Sequence, residues 1–129
     1  MARKPSETPT EVEVKILNVL WELGRSTVRE VHEALKGAGA AGYSTTLKMM
    51  QVMHQKGLLK RDDSVRPQLY RPAKSQKNTQ LGMIDHLVDR AFGGAAGRML
   101  VRAISAKRVS DTELAEIKAL IEELEGEQS

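Results

Sequence analysis

Apolar side chains recur every three or four residues in two stretches near the start of the chain, and this period predicts two amphipathic helices. The first helix follows Thr10 and stops at Gly24, and the second follows Thr27. Thr10 with Glu13, and Thr27 with Glu30, form capping boxes, in which a hydroxyl and a carboxylate close the first turn of a helix. The expected inward positions are Val12, Ile16, Leu17, Leu20 and Leu23 on the first helix and Val28, Val31, Ala34 and Leu35 on the second.

A third helix is predicted after a glycine-containing connection, with either Ser44 or Thr45 as its N-cap. Its inward stripe consists of Thr46, Met49, Met50 and Met53. Its outward side is polar and neutral to basic, and holds Ser44, Thr45, Lys48, Gln51, Val52 and Gln55. Beyond Gly57, two short extended segments, 58–61 and 68–71, flank a turn rich in Asp, Ser and Pro, which predicts a β-hairpin.

Three further amphipathic helices are predicted after Pro72. The fourth is broken by Gly93 and Gly94, and a third capping box, Ser110 with Glu113, opens the sixth. Their apolar positions are Leu81, Ile84, Leu87, Val88, Ala91 and Phe92 on the fourth helix, Met99, Leu100, Ala103 and Ile104 on the fifth, and Leu114, Ile117, Ile121 and Leu124 on the sixth. The sixth set has heptad-like spacing, which is typical of a helix that packs against a partner.

The order helix, helix, helix, hairpin is that of a winged helix, in which the second and third helices form a helix-turn-helix. We therefore expect a mainly α protein with a small β-hairpin: a winged helix-turn-helix domain followed by a three-helix dimerisation region. The expected boundaries are a flexible tail over residues 1–9, a DNA-binding domain over 10–74 and a helical dimerisation domain over 75–129.

Composition and charge distribution favour a globular protein that binds a negatively charged partner. Of the 129 residues, 40% are hydrophobic and 29% charged, a balance that supports a packed core under a solvated surface. The net charge of +3 is unevenly placed, because residues 1–74 hold 13 Lys and Arg against 8 Asp and Glu, whereas residues 75–129 hold 7 against 9. The basic half is the part expected to bind nucleic acid.

No pattern of catalytic or metal-binding residues is present in the sequence. The chain has no cysteine, and His32, His54 and His86 lie far apart and outside HxxxH or HExxH patterns. The glycine-rich run 93–97 lacks the Lys-Ser/Thr ending of a P-loop. We expect no enzyme, no metal and no cofactor. No apolar run approaches the roughly 18 residues of a membrane span, so we expect a cytoplasmic protein without membrane insertion.

The third helix and the hairpin suit duplex DNA, since a helix fits the major groove and a basic hairpin lies along phosphates or enters the minor groove. The candidate DNA-binding residues are Ser44, Thr45, Lys48, Gln51, Val52, Lys60, Arg61 and Arg66, and Arg71 adds a further hairpin cation. Two alternatives stay open at this point. Each single charge could belong to a solvated surface, and winged helices also serve as protein-docking modules.

The C-terminal segment is predicted to pair with a second copy. Residues 75–129 contain a single aromatic residue, Phe92, and so small a helical unit seldom stabilises itself. Pairing by two-fold symmetry would present two recognition helices to an inverted repeat. The candidate dimerisation residues are Leu87, Phe92, Leu100, Leu114, Ile117, Ile121 and Leu124. The alternative is that these helices pack back on the N-terminal half of the same chain.

Several segments resemble the BlaI/MecI penicillinase-repressor family, among them ILNVLWELGRSTVREVHEALKG, GYSTTLKMMQVMHQKGLLKRD and IDHLVDRAFGGAAGRMLVRAIS. The resemblance covers about Thr10 to Glu125, and its most specific pieces are Leu20-Trp21, residues 27–35 and Lys56-Gly57-Leu58. It implies a dimeric repressor that binds palindromic operators in double-stranded DNA. Recognition by the third helix and dimerisation by the C-terminal helices are implied with it.

The sequence departs from the pattern of this family at informative positions. Val52 stands where an exposed Arg is usual, and Lys48 where Thr is common. The chain should therefore recognise a different operator base sequence from those of its relatives. Relatives that control β-lactamase genes are inactivated by cleavage at an Asn-Phe bond in the fifth helix, after signalling by a membrane sensor metallopeptidase. The corresponding candidate cleavage region here is Arg102-Ala103, which requires a peptidase of altered preference. We therefore expect repression to be relieved either by proteolysis, with the membrane metallopeptidase acting directly or indirectly, or by another signal. The cysteine motif of copper-responsive relatives is absent.

Overall fold

The computed structural model describes residues 8–38 and 42–128, and the chain divides into two compact units, Met1–Ile84 and Asp85–Ser129. The elements, in chain order, are α1 (Glu11–Leu23), α2 (Val28–Leu35), a short 3-10 turn (Lys36–Ala38), α3 (Tyr43–Gln55), β1 (Leu59–Asp62), β2 (Leu69–Pro72), α4 (Gln76–Ala91), α5 (Ala96–Ser105) and α6 (Asp111–Gln128). The expected class is confirmed: a mainly helical winged helix-turn-helix followed by a helical region. Most of the predicted tail, 1–7, lies outside the described residues, and the predicted domain boundary at 74/75 stays a prediction.

The first two helices begin where their capping boxes predict. The Thr10 hydroxyl accepts a hydrogen bond from the Glu13 N–H at 3.2 Å, while Glu13 Oε1 accepts one from the Thr10 N–H at 2.9 Å. Thr27 and Glu30 repeat the arrangement at 3.1 and 2.9 Å. Gly24 ends α1 with a φ of 82°. Glycine adopts positive φ with little steric strain because it has no Cβ. These starts and stops depend only on neighbouring residues.

The third helix begins earlier than expected. Its N-cap is Gly42, which has extended backbone and no side-chain cap, so the prediction of Ser44 or Thr45 as the cap is wrong. The Gly42 carbonyl accepts the N–H groups of Thr45 and Thr46 at 3.0 and 3.2 Å. The first helical residue, Tyr43, packs edge-on against His32 of α2, a tertiary contact that a local capping pattern does not contain.

The core of the first unit lies between its three helices and the hairpin. Its buried apolar residues are Ile16, Leu17, Leu20, Val28, Val31, Met50, Met53, Leu59 and Tyr70. Three positions predicted to face inward do not, since Val12 and Leu23 are 49% and 54% exposed and Ala34 is also exposed. The buried side of α1 consists of Glu13, Ile16, Leu17 and Leu20, and the neighbouring elements do not cover Val12 or Leu23. Glu13 takes a buried position in the first turn instead.

The hairpin lies one residue further along the chain than predicted, with Lys60 opposite Arg71 and Arg61 opposite Tyr70. Ser26 extends the hairpin by forming a β-bridge with Tyr70 of β2. The Ser26 N–H donates to the Tyr70 carbonyl at 3.0 Å, and the Ser26 carbonyl accepts the Tyr70 N–H at 2.8 Å. The indole N–H of Trp21 donates to the Lys74 carbonyl at 3.1 Å and so fixes the segment after β2 to α1. The hairpin is therefore fixed to the rest of its unit.

The second unit is described by itself. Gly93 and Gly94 have positive φ after α4, and the Gly94 N–H bonds the Val88 carbonyl at 3.0 Å. The Ser110–Glu113 capping box opens α6 as predicted, at 2.8 and 3.1 Å. Among the described residues of this unit, Val88 alone is a buried apolar side chain. Within the described ranges, no helix has both the length and the apolar character needed to cross a bilayer.

Candidate nucleic-acid interface

The third helix is held to the core by one side. Thr46, Met50 and Met53 are buried and Met49 is half-buried, which confirms the predicted inward stripe. A hydrogen bond of 3.0 Å joins His32 Nδ1 on α2 to the Thr46 hydroxyl, and both side chains are buried. Because unpaired polar groups in a core are costly, this bond favours one seating of α3 against α2.

Five of the eight candidate DNA-binding residues share the opposite side of α3. At about 100° per residue, they fall within about 120° of arc on the helix surface. They are Ser44, Thr45, Lys48 and Gln51, which are exposed, and Val52, which is half-buried. Within the described residues, no carboxylate lies within 4.0 Å of the Lys48 ammonium. We refer to these five residues as the recognition face.

The hairpin presents its cations on two different sides. Directly opposed residues of an antiparallel pair lie on the same face. Lys60 and Arg71 are such a pair, and both are exposed on the outer face of the hairpin. Arg61 pairs with the buried Tyr70 on the inner face, and Arg66 is exposed in the loop between the strands. The free cations of the hairpin are therefore Lys60, Arg66 and Arg71, as far as the described residues go.

Arg61 is occupied inside the hairpin. Its Nε and Nη2 donate to the two carboxylate oxygens of Asp63, at 2.5 and 3.4 Å, and Gln68 Nε2 donates to the same carboxylate at 3.0 Å. The Asp63 carboxylate and, second, the Tyr70 hydroxyl raise the pKa of Arg61. Its role as a DNA contact stays a prediction, and its observed contacts brace the loop.

The acidic groups of the loop are also engaged locally. The Asp62 carboxylate accepts hydrogen bonds from the hydroxyl and the N–H of Ser64, at 2.5 and 2.9 Å. These bonds, with a smaller contribution from the charge of Arg25, lower the pKa of Asp62. Asp63 is therefore paired with Arg61 and Asp62 is bonded to Ser64, and among the described residues neither carboxylate lies within 4.0 Å of Lys60, Arg66 or Arg71.

A half-buried ion pair fixes the far end of α3 to α1. Lys56 Nζ donates to Glu13 Oε1 and Oε2 at 2.9 and 2.7 Å, and the Glu13 carboxylate is almost fully buried. Burial alone would raise the pKa of Glu13, but the bonds from Lys56 and Thr10 outweigh it and hold that pKa below its usual 4.5. From sequence, Glu13 is expected only to cap α1. Its spacing three and four residues before Ile16 and Leu17 was the available signal of burial.

Two residues beside the recognition face were missed from the sequence. The Arg29 guanidinium carbon lies 4.8 Å from the ring centroid of Tyr43, over its face. The Tyr43 ring in turn meets His32 edge-on, with centroids 5.8 Å apart and planes at 89°. Arg29 belongs to α2 and Tyr43 begins α3, so only the tertiary structure brings them together.

The candidate dimerisation residues all belong to the second unit and none is buried. Leu87, Leu100, Leu114, Ile121 and Leu124 are 42% to 51% exposed, and Phe92 and Ile117 are half-buried. In the candidate cleavage region, Arg102 is exposed and Ala103 half-buried within α5. Their carbonyls accept the N–H groups of Ala106 and Arg108 at 2.9 and 3.0 Å. Among the described residues, no three His, Cys, Asp or Glu side chains are grouped as metal ligands would be.

Comparison with known proteins identifies a family along most of the chain. A family model described as penicillinase repressor matches residues 9–123. No curated protein sequence matches the chain. Among solved structures, it is similar to the crystal structure of the PcaV transcriptional regulator from Streptomyces coelicolor in complex with its natural ligand. That similarity has 19% identity and a TM-score of 0.44, and covers 98% of this chain and 81% of that one.

Proposed function

Because the chain belongs to the penicillinase repressor family of DNA-binding transcriptional regulators, we propose that it acts in the cytoplasm as a homodimeric repressor on a palindromic operator. The recognition face is the observation that carries this proposal. It combines four exposed hydrogen-bonding side chains with the half-buried Val52 on a helix whose other side packs in the core. Its cation, Lys48, has no ion-pair partner among the described residues. Such a helix can enter the major groove without losing its packing.

The proposed roles follow from the chemistry of each side chain. Ser44, Thr45 and Lys48 lie toward the N-terminal end of α3, the end that meets base edges in this class of motif. Lys48 can donate to guanine acceptors or to a phosphate, whereas Val52 offers only an apolar contact to a thymine methyl. Lys60 and Arg66 on the hairpin would neutralise phosphates and so contribute affinity with little sequence preference.

The second unit supports the proposed pairing. Its apolar side chains on α4, α5 and α6 are costly to leave about half exposed to water, because burying a fully exposed Leu or Ile is worth about 1.5 to 3 kcal/mol and each of these still lacks roughly half of that. A second copy would cover them, and two-fold symmetry would set the two recognition faces about one DNA turn apart or at a small multiple of it. The palindromic operator is the natural partner of that symmetry.

We further propose proteolysis at Arg102-Ala103, by a membrane sensor metallopeptidase, as the route of relief. This bond lies inside α5, so a peptidase needs the helix to open locally first. Cleavage there would separate the stripe of α6 from the DNA-binding unit. The dimer would then lose much of its shared core. The DNA-binding unit of each copy would bind the operator alone and more weakly.

The proposed function is tested by titrating a labelled duplex of the chain's own promoter with the full chain at two salt concentrations. The expected result is tight binding that weakens steeply with salt and exceeds binding to an unrelated duplex of equal length. A result insensitive to salt, or equal for both duplexes, would contradict operator recognition. Absence of DNA binding together with capture of a protein ligand would favour the docking function that some winged helices have.

A further inference from the structure

The pair Arg29 and Tyr43 lies at the corner between α2 and α3, next to the recognition face. Tyr43 directly precedes Ser44 and occupies the edge of α3 that faces α2, where the His32 ring contacts it. His32 is fixed by its bond to Thr46, which is itself buried. The orientation of the Tyr43 ring is therefore set by the core, and Arg29 stacks on an ordered surface.

The contacts of Arg29 leave its charge and its donors unused. Stacking on a ring face engages the guanidinium through the π system and not through its N–H groups. Within residues 8–38 and 42–128, no carboxylate lies within 4.0 Å of it. The nearby Glu30 is occupied in the capping box with Thr27. The side chain is exposed, so its N–H groups can meet a ligand from solvent.

The position of Arg29 does not serve the stability of its own helix. Arg29 is the second residue of α2, and a cation in the first turn opposes the helix dipole. Because Arg29 is ordered and has no ion-pair partner among the described residues, it is available in the first turn of α2 to bind an anion from outside the chain. In helix-turn-helix docking, the first helix of the pair crosses the DNA backbone, which makes a phosphodiester the anion in reach.

We propose that Arg29, oriented by Tyr43, binds a backbone phosphate of the DNA beside the N-terminal end of α3. This inference rests on the proposed function and adds a contact to it. The planar guanidinium matches phosphate geometry, and its ordering by Tyr43 reduces the side-chain entropy lost on binding. The contact reads no base, so its contribution is equal on operator and unrelated DNA.

The first test compares Arg29→Ala with the full wild-type chain on the promoter duplex and on an unrelated duplex of equal length, over a range of salt. We expect affinity for both duplexes to fall by the same factor, about 5- to 30-fold, and the slope of log Kd against log salt to fall by about 0.9 for each Arg29 in the complex. Lys15→Ala removes the same charge from the exposed side of α1 and should change neither quantity. Arg29→Lys, which keeps the charge but not the planar stack, should keep the slope and lose part of the affinity.

The second test concerns the orienting role of the ring. Tyr43→Phe keeps the stack and should bind both duplexes within about 2-fold of wild type, whereas Tyr43→Ala should lose affinity for both. The double variant Arg29→Ala/Tyr43→Ala should be no weaker than Arg29→Ala by more than about 2-fold, because the two residues act as one unit. Equal losses from Tyr43→Phe and Tyr43→Ala, or additive losses in the double variant, would contradict this role.

The outcomes separate this inference from the proposed function. If the wild-type chain binds neither duplex, the proposed function itself is wrong. If the wild type binds with a steep salt dependence and Arg29→Ala keeps the full slope, only the phosphate contact is overturned. A loss confined to the promoter duplex would also overturn it, since that result would identify Arg29 as a base-reading residue.

Discussion

At the scale of single residues, the polar groups of the first unit divide by whether the fold already uses them. Glu13, His32 and Arg61 each bond a specific partner within the unit. Lys48 and Arg66 extend into solvent with no ion-pair partner among the described residues. The first group stabilises the position of α3 and the hairpin, and the second group is available to a ligand. The two groups should therefore respond to mutation in different assays.

Lys48→Ala should weaken operator binding and leave stability unchanged. A base contact would cost about 1 to 3 kcal/mol on the operator alone. A phosphate contact would lower binding to all duplexes and flatten the salt slope by about 0.9 for each Lys48 in the complex. Fluorescence anisotropy with operator and unrelated duplexes distinguishes the two. Lys15→Ala is the charge-matched control and should bind as wild type does. Binding by Lys48→Ala that equals that of the control would remove Lys48 from the interface.

Glu13→Gln should destabilise the first unit without a direct effect on DNA contacts. It removes the charge that pairs with Lys56 and leaves a partly buried ammonium without its partner, which should lower the free energy of unfolding by about 1 to 3 kcal/mol. Urea denaturation measures the loss. Glu11→Gln in the same turn is exposed and should change stability by less than about 0.5 kcal/mol. Equal losses in the two variants would contradict a stabilising ion pair.

The same pair predicts how stability depends on pH. The folded pKa of Glu13 lies below its usual 4.5, so its contribution is complete above that value and is lost as the pH falls through the folded pKa. The stability difference between wild type and Glu13→Gln should therefore shrink as the pH is lowered below about 4.5. Denaturation series at pH 7 and at successively lower pH values measure it. A difference that stays constant to low pH would mean that the carboxylate charge is not the stabilising group.

At the scale of elements, α3 is packed firmly against the core along one side, but its N-terminus has no side-chain cap. Its inner residues and the His32–Thr46 bond fix one side, while Gly42 supplies no side chain to its first N–H groups. The backbone of Gly42 has negative φ, and an added Cβ would meet no described atom within 4 Å. A capping side chain would fit there sterically. Its absence leaves the positive end of the helix dipole open toward the side where a phosphate would lie.

Gly42→Asp should separate stability from binding. The carboxylate should cap α3 and raise the free energy of unfolding by about 0.5 kcal/mol, but it should weaken DNA binding several-fold by repelling phosphate, most strongly at low salt. Thermal melts and anisotropy titrations measure the two effects. Gly42→Ser is the matched control, because it caps the helix without charge and should keep the salt dependence of binding. If Gly42→Asp binds as tightly as Gly42→Ser, the start of α3 does not face the DNA backbone.

At the scale of the whole molecule, the two units differ in how far one chain completes them. The first unit has a continuous core drawn from three helices and the hairpin. The second unit leaves most of its apolar side chains exposed along α4, α5 and α6. Dimerisation is therefore proposed as the step that completes the second unit and also doubles the number of recognition faces.

Leu114→Glu or Ile121→Glu should yield monomers, because each places a charge in the proposed paired core. Without the second recognition face, operator affinity should fall by about 100-fold or more. Sedimentation or light scattering gives the oligomeric state, and circular dichroism shows whether the helices persist. Ala119→Glu adds the same charge on the other side of α6 and should remain dimeric. Dimers of Leu114→Glu and Ile121→Glu would contradict the assigned interface.

The sequence by itself determined the helices, most of their ends and the order of elements. Capping boxes such as Thr10–Glu13 and stops such as Gly24 involve neighbours within one helical turn, so their hydrogen bonds follow from the local pattern. The inward stripe of α3 followed from its period in the same way. The family match confirms the class of protein that this order of elements indicated.

Only the tertiary structure decided which side chains the fold covers and which distant residues meet. Val12 and Leu23 continue the apolar period of α1 yet stay exposed, because burial depends on what the neighbouring elements reach. Glu13 and Lys56, 43 positions apart, and Arg29 and Tyr43 on separate helices pair through the packing of α1, α2 and α3. A periodic pattern specifies which side of a helix is apolar, but the relative placement of helices sets each contact across them. The exposed side of α3 could therefore be predicted from sequence, whereas the groups that orient it could not.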